Sequence, residues 1–78
     1  MRAAIYTPAG PLYEGAAHRI AAVSIEGAFE ILEGHAPFIA ELVPGELRLS
    51  TADGEKEFSH KGGYLWVLPE GEVRAILR

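Results

Sequence analysis

The chain has 78 residues, no cysteine, 49% hydrophobic residues and a formal net charge of −4 from seven Lys+Arg against eleven Asp+Glu. This length fits one domain, residues 1–78, and the lack of thiols excludes disulfides, thiolate metal sites and a cysteine nucleophile. The acidic balance argues against a nucleic-acid partner, and the absence of a long apolar run argues against direct membrane insertion and a signal peptide.

Glycines and prolines divide the chain into segments of strand length. In chain order, the segments between these breakers are Ala16–Glu26, Ala28–Glu33, Phe38–Val43, Glu46–Asp53, Glu55–Lys61, Tyr64–Leu68 and Glu72–Arg78. The first is long enough for a short helix, but its β-branched residues and its alternation at period two favour a strand. We therefore predict strands throughout.

Turn residues indicate how neighbouring segments are joined. Ala52–Glu55 contains an Asp-Gly pair, and Pro69–Glu72 combines proline with glycine, so each predicts a hairpin. Glu46–Ser50 alternates between polar and apolar residues, whereas Tyr64–Leu68 is apolar on both faces and is predicted to be the most buried strand. The pattern predicts an all-β fold, either an antiparallel sandwich or a small barrel.

No catalytic constellation is recognisable in the sequence. There is no Gly-x-Ser-x-Gly motif, and Ser59 and His60 are adjacent, which places them on opposite faces of a strand. Glu55 and Glu57 share one strand face and are interpreted as the solvated side of a hairpin. The glycines form no phosphate-binding motif. We therefore predict no catalytic residue and no cofactor.

The three histidines lie on different segments without the spacing of metal ligands, and we interpret them as surface or turn residues. His35 stands apart because glycine and proline shape the segment Glu33–Pro37 around it. Two interpretations remain open: its ring hydrogen-bonds the loop backbone, or it is an exposed contact residue. Exposed apolar residues would mark a protein partner, with Tyr6, Tyr13, Phe38 and Ile39 as candidates and core packing as the alternative for each.

Four sequence blocks point to a known family. They are Thr7-Pro8-x-Gly10-x-Leu12-Tyr13-Glu14-Gly15, Glu26-Gly27-x-x-x-Ile31-Leu32-x-Gly34-His35-Ala36-Pro37, Leu42-x-Pro44-Gly45-Glu46-Leu47-Arg48 and Gly62-Gly63-Tyr64-Leu65. In this order and spacing the chain resembles the epsilon subunit of F-type ATP synthases, the family that includes the mitochondrial delta subunit. The resemblance covers essentially the whole chain, but only the amino-terminal half of the family's usual length.

The resemblance implies a flattened antiparallel β-sandwich of about ten short strands, without the family's carboxy-terminal helical hairpin. It implies a non-catalytic central-stalk (rotor) subunit that binds the gamma subunit and the c ring and couples proton- or sodium-driven rotation to ATP synthesis. We expect a peripheral position on the cytoplasmic face of the inner (plasma) membrane. Without the hairpin, we expect neither inhibition of ATP hydrolysis nor nucleotide sensing.

The resemblance also implies two interfaces. The gamma-facing residues are Thr7, His35, Phe38, Ile39 and Ala40, and the c-ring-facing residues are Glu26, Gly27, Ala28, Gly34 and His35. The c-ring turn and the His35 loop are expected together at the rotor end of the sandwich. Three departures redistribute the charge there: Glu33 replaces a usual proline, Glu30 a common glycine and Ala28 a frequent carboxylate.

An alternative of a different class is a stand-alone ligand-binding β-sandwich that uses Tyr64 and Trp66. The continuous apolar sequence around Trp66 favours a core position, because a binding aromatic residue is usually flanked by polar groups that orient the ligand. Binding to a gamma subunit would distinguish the two hypotheses.

Overall fold

A computed structural model describes all 78 residues, Met1–Arg78. It contains nine strands and no helix. The strands are β1 (Arg2–Thr7), β2 (Gly10–Ala16), β3 (Arg19–Ser24), β4 (Gly27–Leu32), β5 (Phe38–Leu42), β6 (Gly45–Thr51), β7 (Gly54–His60), β8 (Gly63–Val67) and β9 (Val73–Leu77). The all-β prediction is confirmed, with nine strands where the resemblance implied about ten. No element of the structure is a helix that could cross a membrane.

Each predicted segment forms a strand. The ambiguous segment Ala16–Glu26 contains β3, which confirms the strand interpretation. Both predicted hairpins are present, since β6 pairs antiparallel with β7 across Ala52-Asp53 and β8 pairs antiparallel with β9 across Leu68–Glu72. The positions of glycine and proline in the sequence therefore predict where these strands begin and end.

The strands form one sheet in the order β2-β1-β9-β8-β5-β3-β6-β7, with β4 paired to β3. All pairings are antiparallel except the one between β1 and β9, which is parallel. β3 pairs with β6 through Arg19–Ala21 and with β5 at Ser24, so the sheet folds over along this strand. The result is a flattened sandwich measuring 26 × 25 × 18 Å.

The core lies between the two layers and collects the inward side chains of alternate strand positions. Its fifteen buried residues are Ala3, Ile5, Ala17, Ile20, Ala22, Ile31, Ala40, Leu42, Leu47, Leu49, Leu65, Val67, Val73, Ala75 and Leu77. Five of them are alanines, and the partly buried Phe29, Phe38 and Phe58 pack against this core. Because this core is small, much apolar surface remains outside it.

Three hairpins share one turn device, which has the sequence Ser/Thr-x-x-Gly. In the β6–β7 turn, the Thr51 hydroxyl accepts the Asp53 N–H at 3.1 Å and donates to the Gly54 carbonyl at 2.9 Å. Thr7 and Ser24 make the same pair of bonds in the β1–β2 and β3–β4 turns. Each device ends in a glycine at positive φ, between 112° and 130°, where a side chain would be strained.

The segment Lys61–Gly63 holds the end of β9. The Lys61 N–H donates to the Arg78 carbonyl at 2.7 Å, and the Arg78 N–H donates to the Gly62 carbonyl at 2.8 Å. A Cβ atom on Gly63 would collide with the Ile76 carbonyl, so only glycine permits this approach of β8 to β9. His60, predicted as a surface or turn residue, is instead buried, because β7 directs it inward and its Nδ1 accepts the Gly62 N–H at 3.0 Å.

Candidate functional site

The loop after β4 carries His35 in a defined orientation. Gly34 adopts φ +85°, and the His35 N–H donates to the Leu32 carbonyl at 3.1 Å. The His35 Nδ1 lies 2.7 Å from the Ala36 carbonyl, and because a carbonyl only accepts, Nδ1 carries the proton. The side chain is exposed. The first interpretation of His35 is therefore confirmed, because its ring bonds its own loop. Its role as a contact residue stays a prediction.

Aromatic stacking connects this loop to the sandwich. The His35 and Phe38 rings lie 5.0 Å apart, and Phe38 meets Phe29 edge to face at 5.5 Å. Phe38 is half-buried against the core, which fits the packing alternative for that residue. The three rings restrict how far the loop can move relative to β4 and β5.

The predicted gamma-facing residues of β5 do not share a face. Ile39 is 67% exposed, whereas Ala40 is buried in the core at 7%. Successive side chains of a strand point to opposite sides, so Ile39 alone of the two presents its side chain to a partner. Thr7 is half-buried, and its hydroxyl is already used twice within its own turn. The interface assignment itself stays a prediction.

The two predicted c-ring segments are not adjacent. Glu26 lies in the turn before β4, with Gly27 and Ala28 at the start of that strand, while Gly34 and His35 follow its far end. Six strand residues at ~3.3 Å each separate them by about 20 Å. All five residues are exposed. The structure thus differs from the expected grouping at one end, because the chain reaches the His35 loop only after the whole of β4.

A second surface lies on the outer side of β1, β9, β8 and β5, and it includes Trp66, which was expected in the core, and Ile39, which was a candidate exposed residue. We call it the outer aromatic face, and it consists of Tyr6, Ile39, Tyr64, Trp66 and Ile76. Tyr64 is 43% exposed, Ile76 is 47% exposed and Trp66 is half-buried. The prediction that this strand is strongly buried is confirmed for one face only, since three of the five β8 residues are buried. The core position expected for Trp66 is wrong, because only Leu65 and Val67 of Tyr64–Leu68 face the core.

The signal for this face was present in the neighbouring strand. β9 alternates cleanly, with Arg74 and Ile76 outward and Val73, Ala75 and Leu77 buried. Tyr64 pairs with Ile76, and Trp66 pairs with Arg74. Because directly paired residues of neighbouring strands lie on the same face of the sheet, Tyr64 and Trp66 point outward together with Ile76 and Arg74. Knowledge of the pairing would have placed both aromatic residues outside.

Two polar side chains of the outer aromatic face and its edge, Tyr6 and Arg74, are paired with carboxylates. The Tyr6 hydroxyl donates to a Glu14 carboxylate oxygen at 2.7 Å, and this bond, with a smaller contribution from desolvation, raises the pKa of Tyr6. Arg74 donates to Glu72 at 3.2 Å.

The outer side of the other layer is dominated by ion pairs. Arg19 lies 3.7 Å from Glu30 and 3.1 Å from Glu55, and Arg48 lies 2.9 Å from Glu57. These side chains are 44–58% exposed, so such pairs contribute little to stability. Ser59 and His60 point to opposite sides of β7, as predicted, one exposed and one buried.

Comparisons with known proteins agree on one family. The family described as "ATP synthase, Delta/Epsilon chain, beta-sandwich domain" matches residues 1–73. The chain is 33% identical over 66 residues to the sodium ion specific ATP synthase epsilon chain of Propionigenium modestum, covering 85% of this chain and 48% of that one. It is 38% identical over 64 residues to the ATP synthase epsilon chain of Chlorobium limicola, covering 81% and 73%.

Two solved structures share the fold. One is the central stalk and c ring of the Tetrahymena thermophila mitochondrial ATP synthase, with a TM-score of 0.83 at 21% identity over 99% of this chain and 62% of that one. The other is the OSCP, F1 and c-ring assembly from Euglena gracilis mitochondria, with a TM-score of 0.88 at 21% identity over 96% and 48%. The chain spans about half the length of the Propionigenium relative.

Proposed function

This chain belongs to the delta/epsilon family of ATP synthase subunits, and we propose that it works as a non-catalytic subunit of the central stalk. The observation that carries the proposal is the match of residues 1–73 to the family's β-sandwich domain. A rigid sandwich with ordered loops suits a subunit that transmits rotation by contact.

The proposed partners are the gamma subunit and the c ring, and the proposed role is to couple proton- or sodium-driven rotation to ATP synthesis. The structural neighbour from Tetrahymena, described as central stalk and c ring, supports a place in the central stalk beside the c ring, and the gamma subunit follows from the family resemblance. The chain would sit peripherally at the cytoplasmic face of the membrane. One relative is described as sodium ion specific, and the Chlorobium epsilon chain is described without an ion. The proposal therefore includes both protons and sodium ions as the driving ion.

The structure refines which proposed contact residues are accessible. Toward gamma, the accessible side chains are His35, held by its loop, and Ile39, on the outer aromatic face. Toward the c ring, the Glu26–Ala28 turn and the loop at Gly34 would make two separate contacts, one at each end of β4. A flat sandwich lying along a ring can make both.

Calorimetric titration of the chain into its matching gamma subunit tests the role. We expect saturable one-to-one binding that His35→Ala and Phe38→Ala weaken, because the first removes the loop's exposed ring and the second removes the ring that supports it. His18→Ala is the matched control, since His18 is an exposed histidine on another segment. A folded chain that does not bind gamma would contradict the proposal.

A small-ligand-binding sandwich is the second candidate, and one observation favours it. A shallow hollow of about 320 Å³ on the outer aromatic face is lined by Tyr6, Trp66, Leu68, Arg74 and Ile76. Its volume is near the lower end of ligand sites, which begin at ~300 Å³. Saturable quenching of Trp66 fluorescence by a metabolite would support this candidate, and failure to bind gamma would be expected with it.

A further inference from the structure

We propose that His60 is a proton-operated latch, and that mild acid opens the β-bulge that it holds at Lys61-Gly62 while the rest of the sheet stays paired. The latch joins the end of β7 to the carboxyl end of β9. It is a conformational device within the chain itself, so it does not depend on the proposed stalk function.

The latch is built on an irregularity in the pairing of β8 with β9. The regular register ends with Gly63 opposite Leu77. Beyond this pair, the Lys61 N–H donates to the Arg78 carbonyl at 2.7 Å, and the Arg78 N–H donates to the Gly62 carbonyl at 2.8 Å. Two residues therefore oppose one, which is the pattern of a β-bulge, and a bulge leaves part of the backbone out of the ladder. Here the group left out is the Gly62 N–H.

The His60 side chain supplies the acceptor that this N–H needs. The Gly62 N–H donates to Nδ1 at 3.0 Å, so Nδ1 carries no proton and the neutral ring holds its proton at Nε2. Nε2 is buried and has no partner. The whole residue is only 9% exposed, because β7 directs it inward at its pairing with Gly45. The Gly62 N–H is thus satisfied by one bond that only the neutral imidazole can accept.

Protonation of His60 would turn this acceptor into a donor. An imidazolium carries N–H groups on both ring nitrogens, so its Nδ1–H would face the Gly62 N–H, and neither of these donors would have an acceptor. A buried donor without a partner is costly, and so is a buried charge without a counter-ion. Burial also lowers the pKa of His60. The proton therefore binds more readily once the bulge has opened and water reaches the ring.

The charged groups around the bulge do not stabilise a protonated ring. Arg78 Nη2 lies 3.0 Å from the position that a Cβ atom on Gly62 would take, and Lys61 directly follows His60. None of these three titratable side chains is in an ion pair with a carboxylate. The other charged or titratable side chains nearby on the neighbouring strands are exposed: Glu41 of β5, Glu46 and Arg48 of β6, Glu57 of β7, Tyr64 of β8 and Arg74 of β9.

Opening at this bulge would be local. The regular pairs of β8 with β9, from Gly63 opposite Leu77 to Val67 opposite Val73, do not involve the His60 ring. Small openings that expose few buried contacts need less free energy than unfolding of the whole domain. Acid would therefore release the backbone at Arg78 from the sheet before the sandwich itself unfolds.

Amide hydrogen exchange of the full chain, followed by NMR at pH 7 and pH 5, tests the latch. We expect the opening constants of the Lys61, Gly62 and Arg78 amides, corrected for intrinsic exchange, to rise about tenfold, because an open-state histidine with a pKa of about 6.5 is mostly protonated at pH 5. The control is the Leu68 amide, which donates to the Glu72 carbonyl at the other end of the β8–β9 pair and should change less than twofold. A rise that is absent at the bulge, or that Leu68 shares equally, would overturn the proposal.

A variant and a spectrum complete the test. In His60→Gln the amide oxygen can accept the Gly62 N–H at either pH, so the tenfold rise should disappear, whereas His18→Gln, at an exposed histidine, should keep it. A folded His60→Gln chain that keeps the rise would refute the latch. The nitrogen NMR spectrum of the His60 ring needs no variant, and at pH 7 we expect its proton on Nε2. A neutral ring with its proton on Nδ1 cannot accept the Gly62 bond, and this result would also overturn the proposal.

Discussion

Among single residues, His60 has the environment that most directly couples protonation to stability. It is 9% exposed, its Nδ1 accepts the Gly62 N–H, and its Nε2 has no partner. Burial lowers the pKa of His60 below its usual value of about 6.5. Protonation of Nδ1 would also require loss of the Gly62 bond, and Gly62 helps to hold the end of β9.

The sign of the pH effect follows from this lowered pKa. The contribution of His60 to stability is fully present above about pH 6.5 and is lost as the pH falls toward the folded-state pKa, because the unfolded chain binds the proton more readily. We expect urea unfolding to show a smaller loss of stability between pH 7 and pH 5 for His60→Gln than for the unchanged chain. His18→Gln, at an exposed site, should behave like the unchanged chain. Equal pH dependence in all three proteins would contradict this role.

At the scale of elements, the repeated Ser/Thr-x-x-Gly turn stabilises three hairpins. Thr51→Val preserves shape and strand propensity but removes two hydrogen bonds. At ~1 kcal/mol per bond, we expect a loss of about 1–2 kcal/mol in the free energy of unfolding. Thermal unfolding measures this loss, and Thr51→Ser, which retains the hydroxyl, should lose less. A valine variant as stable as the unchanged chain would show that the turn does not depend on the hydroxyl.

The elements also show how far sequence reasoning reaches. Strand limits depend on local residues, so Asp53-Gly54 and the other breakers were sufficient to predict them. The exposure of Trp66 depends on which strand lies beside β8, and a strand apolar on both faces has no alternation that distinguishes inside from outside. The shaped loop at His35 was predictable from its glycine and proline. The separation of Ile39 from Ala40 follows from strand alternation, which a resemblance to a family does not state.

At the scale of the whole molecule, the small core makes partner binding important for stability. Only 19 of 78 residues are buried, and no disulfide supplements them. Binding of gamma to the folded chain alone should stabilise it by about 2.7 kcal/mol at a free gamma concentration 100 times Kd. For a domain of this size, that corresponds to a rise in Tm of roughly 10–20 °C.

Trp66 fluorescence with a tryptophan-free gamma subunit would follow the thermal unfolding of this chain in the mixture. An unrelated protein at the same concentration is the control for crowding. A Tm that does not change at saturating gamma would mean that the complex does not form through the folded sandwich.

The parallel pairing of β1 with β9 has a consequence for how the protein is made. The β1–β2 hairpin joins the rest of the sheet through β9, the last strand in the sequence. While the nascent chain is still on the ribosome, the first hairpin has no neighbour to pair with, and Ala3 and Ile5 remain uncovered. The sandwich can close only when β9 has emerged, so folding of the first strands depends on completion of the last.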